Sequence, residues 1–149
     1  MQLLPLALTA ATLLTHALAN PLAAAAPAYK WSVTKWSFTR GQAAYDYSFT
    51  ISGAAHGAIP AFKASCTGTQ TGGFRDCTIL SDNPVPPTVS ANVNIVQDPE
   101  NPNDNIPRVF VRVEFVDDED CRYNDAGNHY VSLAPKRFKI DAKKSTAIC

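Results

Sequence analysis

From Tyr29 onward, apolar and polar residues follow each other with period two, the signature of half-buried strands. Tyr45, Tyr47, Phe49 and Ile51 alternate with Asp46, Ser48 and Thr50. Phe62, Ala64 and Cys66 resume the alternation after a glycine-rich turn at residues 53–57. Residues 67–73 read as a loop, and Cys77 and Ile79 return as the partner strand of a hairpin. Val89, Ala91, Val93 and Ile95 form another strand. The strongest is Arg108 to Val116: Val109, Val111, Val113 and Phe115 make one face, and Phe110, Arg112, Glu114 and Val116 the other. That second face mixes apolar with charged residues, so one side of the strand belongs to a core and the other is partly wet. Tyr130 to Leu133 and Arg137 to Ile140 complete the set. Roughly seven short strands separated by Gly, Pro and Asn clusters imply an all-β domain, a single compact antiparallel β-barrel or sandwich. No stretch of this region carries a helical period.

The pattern has one irregularity. Trp31 and Trp36 are five residues apart in YKWSVTKWSFTR, residues 29–40, and so have opposite parity. Either a bulge near Thr34–Lys35 returns Trp36 to the core, or one tryptophan lies at the surface. Trp31, Trp36, Phe38, Tyr45, Tyr47 and Phe49 all fall in the first two strands. Aromatics in strands fill small barrels, and the competing reading is an apolar pocket for a flat small ligand.

The segment before Tyr29 does not share this periodicity. Residues 3–14, LLPLALTAATLL, form a short apolar run, and Ala17-Leu18-Ala19 supplies the small-x-small pattern of a cleavage site. Residues 1–19 therefore read as a secretory signal peptide. The run is too short for a membrane span, which needs about 20 apolar residues. Residues 20–28, NPLAAAAPA, read as a disordered Ala/Pro-rich tail, leaving 29–149 as the folded domain. Its four cysteines, Cys66, Cys77, Cys121 and Cys149, imply two disulfides in a secreted chain. Of three connectivities, Cys66–Cys77 with Cys121–Cys149 joins neighbours without crossing. No C-x-x-C spacing supports zinc or thioredoxin-type redox chemistry.

Formal charge is zero overall but uneven. Residues 97–125 carry nine acids against three bases, and residues 126–149 five bases against one acid. Opposed patches suit protein binding better than nucleic-acid binding, where a basic excess is expected. Two acidic loops are the candidate contact surfaces: Asp98, Glu100 and Asp104 within residues 98–107, and Asp117, Asp118, Glu119 and Asp120 within residues 117–128. The proline-rich stretch 82–87 is a third exposed loop. Neither acidic run has EF-hand spacing, so no metal or other cofactor is expected. Arg112, Glu114 and His129 are the residues from which a ribonuclease-like set could be assembled. No nucleophile-elbow, zincin or P-loop motif is present, and two carboxylates alone could still serve a glycosidase. No Asn heads an N-x-[ST] acceptor.

An aromatic-x-Trp start, a tyrosine-rich second strand, and a third strand ending in Cys before a loop to a second Cys together resemble the Alternaria major-allergen-like family of fungal secreted proteins. The matching residues are Tyr29, Trp31, Val33, Trp36 and Arg40, then Tyr45, Phe49 and Ile51, then Phe62, Cys66 and Cys77. The resemblance runs from residue 29 to about residue 140 and implies a secreted β-barrel with two intrachain disulfides. It carries over the cysteines but no catalytic residue. The chain departs from the allergen in having no cysteine just upstream of Trp31, so the allergen's interchain disulfide cannot form. The 98–107 loop looks like an insertion, and Cys121 and Cys149 are more widely spaced than the allergen's second pair.

The expectation is a non-enzymatic secreted effector or elicitor. The resemblance implies that it binds a host plant extracellular protein, such as a thaumatin-like defence protein, as a monomer or non-covalent dimer in the apoplast. No nucleic-acid or membrane partner is expected. The alternatives are a carrier of flavonoid-type ligands and a secreted ribonuclease or glycosidase.

Overall fold

The computed structural model describes residues 29–132, 135–144 and 147–149. The expected signal peptide and tail, and Leu133, lie outside them. Among the described residues there are nine strands: β1 Lys30–Arg40, β2 Tyr45–Gly53, β3 Phe62–Thr69, β4 Arg75–Asp76, β5 Thr78–Ile79, β6 Thr88–Gln97, β7 Asn105–Val116, β8 Arg122–Tyr130 and β9 Arg137–Lys144. All pairings are antiparallel, in the order β4-β6-β7-β8-β9-β1-β2-β3-β5.

The first and last strands of that order are two halves of one segment. Residues 75–76 pair with β6, opposite Ala91 and Ser90, and the Cys77 N–H still donates to the Val89 carbonyl at 2.8 Å. Thr78 and Ile79 then pair with Ser65 and Ala64 of β3, and the Leu80 N–H donates to the Lys63 carbonyl at 2.7 Å. The segment changes partner at Cys77, where the disulfide to Cys66 of β3 holds it. Inside, the Tyr47 hydroxyl of β2 donates to the Ala91 carbonyl of β6 at 3.1 Å. The sheet is thereby a nearly closed barrel. The second disulfide, Cys121–Cys149, ties the C-terminal residues to the start of β8, where Arg122 and Ile148 exchange backbone hydrogen bonds.

The inner positions follow the alternation read from the sequence. Tyr47, Phe49, Ile51, Phe62, Ala64, Cys66, Val89, Ala91, Val93, Val109, Val111 and Val113 are all buried. At about 25 cal/mol per Å² of apolar surface removed from water, this set is the main favourable term for the fold. The bulge in β1 is present: pairing with β2 shifts register between Thr34 and Ser37, and Lys35 takes a left-handed φ of 54°. The extra residue turns Trp36 back to the inner side, where it meets Phe49 and Phe138 at 5.7 and 5.6 Å between ring centres. Trp31, fully buried, fits between two glycines. A Cβ on Gly53 would stand 2.8 Å from its Cδ1, and one on Gly127 3.3 Å from its Cζ3.

Two expectations need correction. Residues 117–128 are not one loop. Only 117–121 form the turn, and β8 spans Arg122–Tyr130 rather than beginning at Tyr130. Its inner positions are Tyr123, Asp125, Gly127 and His129, opposite Phe115, Val113, Val111 and Val109. With polar or absent side chains facing inward, the strand leaves no hydrophobic alternation to read. Likewise the 98–107 loop ends at Asp104, and Pro107 is buried within β7. Its carbonyl accepts from the Val131 N–H at 2.8 Å, beyond the last β8 residue. The N–H that proline lacks points to that same side, so the ladder with β6 is intact.

Candidate binding groove

Consecutive antiparallel strands put successive turns at opposite ends of the barrel. The β6–β7 turn, with Asp98, Glu100 and Asp104, and the β7–β8 turn, with Asp117, Asp118, Glu119 and Asp120, are separated by the whole of β7, about 36 Å of extended chain. The two acidic loops thus stand at opposite ends of the barrel. Part of their charge also serves the turns themselves. Asp98 Oδ1 accepts from the Glu100 N–H at 2.8 Å, and Asp104 Oδ2 accepts from the Asn101 amide at 2.6 Å. Asp117 Oδ1 accepts from the N–H groups of Glu119 and Cys121, both at 2.9 Å, and its Oδ2 from the Tyr123 hydroxyl at 3.0 Å. These bonds, led by the Cys121 N–H, hold the Asp117 carboxyl below its ordinary pKa and push the Tyr123 phenol up. Such Asx turns are what a short carboxylate in a tight turn does. Asp120 there adopts a φ of 61°, which Asp tolerates. Glu100, Asp118, Glu119 and Asp120 remain exposed.

The residues considered for catalysis are divided by the sheet. Arg112 and Glu114 lie on the outer face of β7. His129 pairs with Val109 on the inner face and stacks on Phe138 at 5.0 Å. Its surroundings pull its pKa below the ordinary imidazole value, because burial outweighs the attraction of Asp141. Another inner polar cluster closes the opposite mouth of the barrel. Tyr29 stacks on His56 at 4.1 Å, and His56 Nδ1 lies 3.8 Å from Oδ2 of Asp125, which is 2% exposed. The Tyr29 hydroxyl donates to the Ala54 carbonyl at 2.6 Å, and burial, with the charge of Asp125, raises its pKa.

The largest concavity described is on the outside. A groove of about 720 Å³ crosses the outer face of β6, β7 and β8 towards β9. Its floor consists of residues in cross-strand register, Asn94–Arg108, Asn92–Phe110–Asn128 and Arg112–Ala126, with Tyr130 and Ser90 completing the outer rows beside it. Arg108 donates from Nε and Nη2 to Asn128 Oδ1 at 3.2 and 2.9 Å. Its guanidinium lies 4.8 Å from the Phe110 ring centre and 4.6 Å from that of Tyr130. Arg112 lies 3.9 Å from the ring centre of Phe74, which reaches in from the β3–β4 loop. Cation–π contacts at such exposed sites are worth about 0.5–1 kcal/mol each. Among the described residues, no carboxylate comes within ion-pairing distance of either arginine; Asp141 in the groove wall pairs with Lys30 at 3.0 Å. The groove thus offers two oriented cations, Lys143 at its edge, and amides between them.

Arg112 and Phe110 were visible in the sequence as the mixed face of the strongest strand. Phe74, Asn92, Asn128 and Tyr130 were not, because only strand pairing brings them there. No family model matches the chain, and neither a curated protein nor a solved structure does so. No family assignment follows.

Proposed function

We propose that this protein is a secreted, non-catalytic effector or elicitor that binds a host extracellular protein through the outer groove of β6–β8. The observation that carries the reading is the pair Arg108 and Arg112, held by amide and aromatic partners that leave their charge unneutralised. Charged groups presented in this way confer specificity and speed association. Two disulfides suit an oxidising, extracellular setting. The resemblance to the Alternaria major-allergen-like family supports the host apoplast as that setting, with a thaumatin-like defence protein among the candidate partners. Where a carrier of flavonoid-type ligands would need an internal cavity, Trp31, Phe49, Ile51 and the inward valines occupy the barrel. The test is capture of partners from apoplastic fluid on the immobilised protein, together with leaf infiltration. A single partner retained by the wild type and lost by Arg108→Thr/Arg112→Thr is the expected result. Empty capture with no leaf response at high dose would refute the reading.

A further inference from the structure

We infer that the groove accepts an extended acidic polypeptide segment whose two carboxylates, four residues apart, pair with Arg108 and Arg112. This rests on the proposed protein-binding role and specifies what the partner must present. The spacing follows from β7 itself. Arg108 and Arg112 are two side-chain repeats apart on one face of a strand, about 13 Å at 3.3–3.4 Å per residue. An extended peptide laid along β7 has the same rise, so acids at positions i and i+4 stay in step with the arginines. The residue midway would rest on Phe110, which is flanked in register by Asn92 and Asn128. With Asn92 Oδ1 buried and Asn128 Oδ1 taken by Arg108, their amide N–H groups remain to donate to peptide carbonyls on either side.

The chemistry favours carboxylates on a peptide over a nucleic acid or a polysaccharide. Single-stranded nucleic acids need open aromatic faces on which bases stack, and sugars likewise pack on uncovered rings. Here Phe74 and Tyr130 are 37% and 38% exposed, but each already has a guanidinium over one face, that of Arg112 and that of Arg108, which also lies over Phe110, so stacking is open on the other face at most. Arg108 already gives Nε and Nη2 to Asn128, and Arg112 makes no hydrogen bond or ion pair among the described residues. Their other N–H groups can receive carboxylate oxygens, the partner arginine matches best. Glu114, one repeat beyond Arg112 on the same face, repels a third acid there and confines the site to the stretch between the two arginines.

The test measures binding of the full chain to capped synthetic peptides by fluorescence anisotropy at low and physiological salt. One peptide carries glutamates four residues apart with leucine midway; a second has them three apart; a third has glutamine in their place. Oligouridylate and oligogalacturonate are run alongside. The first peptide should bind at least tenfold more tightly than every other probe, weaken with salt, and lose tenfold or more with Arg108→Thr/Arg112→Thr. The melting temperature of that variant establishes that it is folded. Equal binding of the two glutamate spacings, no peptide binding, or preference for either non-peptide polymer overturns the inference. If capture from apoplastic fluid succeeds but survives the double substitution, the groove inference fails while the host-protein reading stands. If the peptide binds as expected and capture is empty, the reverse holds.

Discussion

The barrel has two outer faces built on the same alternation, and they differ in what fills the solvent-facing positions. Along the middle of β1 to β3 these positions are Ser32, Thr34, Ser37 and Thr39, then Ser48, Thr50 and Ser52, then Ser65 and Thr67, aligned across the strands as Thr34–Thr50–Ser65 and Ser37–Ser48–Thr67, with Lys30, Asp46 and Lys63 only towards the strand ends. On β6 to β8 they are Asn92 and Asn94, Arg108, Phe110 and Arg112, then Ala126, Asn128 and Tyr130. Hydroxyl residues are the generic outward filling of a strand: threonine favours the pleated backbone, and short hydroxyl side chains are cheap to solvate. The first face shows what the fold alone requires. Arginine, asparagine and aromatics on the second exceed that requirement, which is the sense in which they mark a site.

The seam between the two faces gives the largest expected effect. The 75–79 segment joins β6 to β3, so replacing Cys66 and Cys77 by alanine frees the two faces from each other. The expected cost is about 2–4 kcal/mol, roughly 10 °C in Tm for a domain of this size, measured by thermal melting. Next comes Gly127→Ala beneath the groove. The new Cβ would stand 2.6 Å from Ile140 Cγ2 and 2.7 Å from the Asp141 carbonyl oxygen, so backbone must move. A loss of about 1–3 kcal/mol is expected in denaturant titration.

Making the second face resemble the first gives a smaller change in stability. Arg108→Thr/Arg112→Thr should cost about 1–2 kcal/mol, since three exposed cation–π contacts are lost while threonine suits a strand. Peptide binding should nevertheless be lost. The mirror experiment, Thr34→Ala/Thr50→Ala, should stay within about 0.5 kcal/mol and leave peptide binding unchanged. Altered binding in the mirror variant would show that the two faces are not functionally distinct.

The smallest effect depends on pH. Burial lowers the His129 pKa in the native state. The unfolded chain therefore takes up the proton first as pH falls through the ordinary imidazole value of 6.5. Stability contributed by neutral His129 is present above that pH and declines below it, until the native pKa is passed. Tm should fall between pH 7 and pH 5, and His129→Gln should flatten that slope. The depressed carboxyl of Asp117 acts in the same direction at lower pH, its contribution fading as pH falls through the carboxylate range.

How much of this was legible depended on which side of the strand carried the information. Inward positions of β2, β3, β6 and β7 announced themselves, because one buried face forces a period-two pattern. The spacing of Trp31 and Trp36 left a bulge or a surface tryptophan as alternatives, and the register shift between Thr34 and Ser37 decides for the bulge. The disulfide pairing followed from neighbouring elements. β8 escaped because Asp125, Gly127 and His129 face inward, the glycine making room for Trp31. The groove escaped for another reason. Its residues come from five separate stretches of chain, and the linear charge count was misleading: Arg108 and Arg112 lie within the most acidic stretch, seven of whose nine carboxylates sit in the turns at the two ends of β7.

Closure of the barrel at Cys77 has a consequence for how the molecule survives its own synthesis. β4 and β5 contribute two residues each, too little to stay paired unaided. Until Cys66 and Cys77 are oxidised, β3 and β6 present long unsatisfied backbone edges, the surfaces through which strands recruit further chains. Solubility of the newly made protein is therefore tied to the redox potential of the compartment it folds in. A chain held in reducing surroundings should therefore aggregate edge to edge more readily than the oxidised barrel.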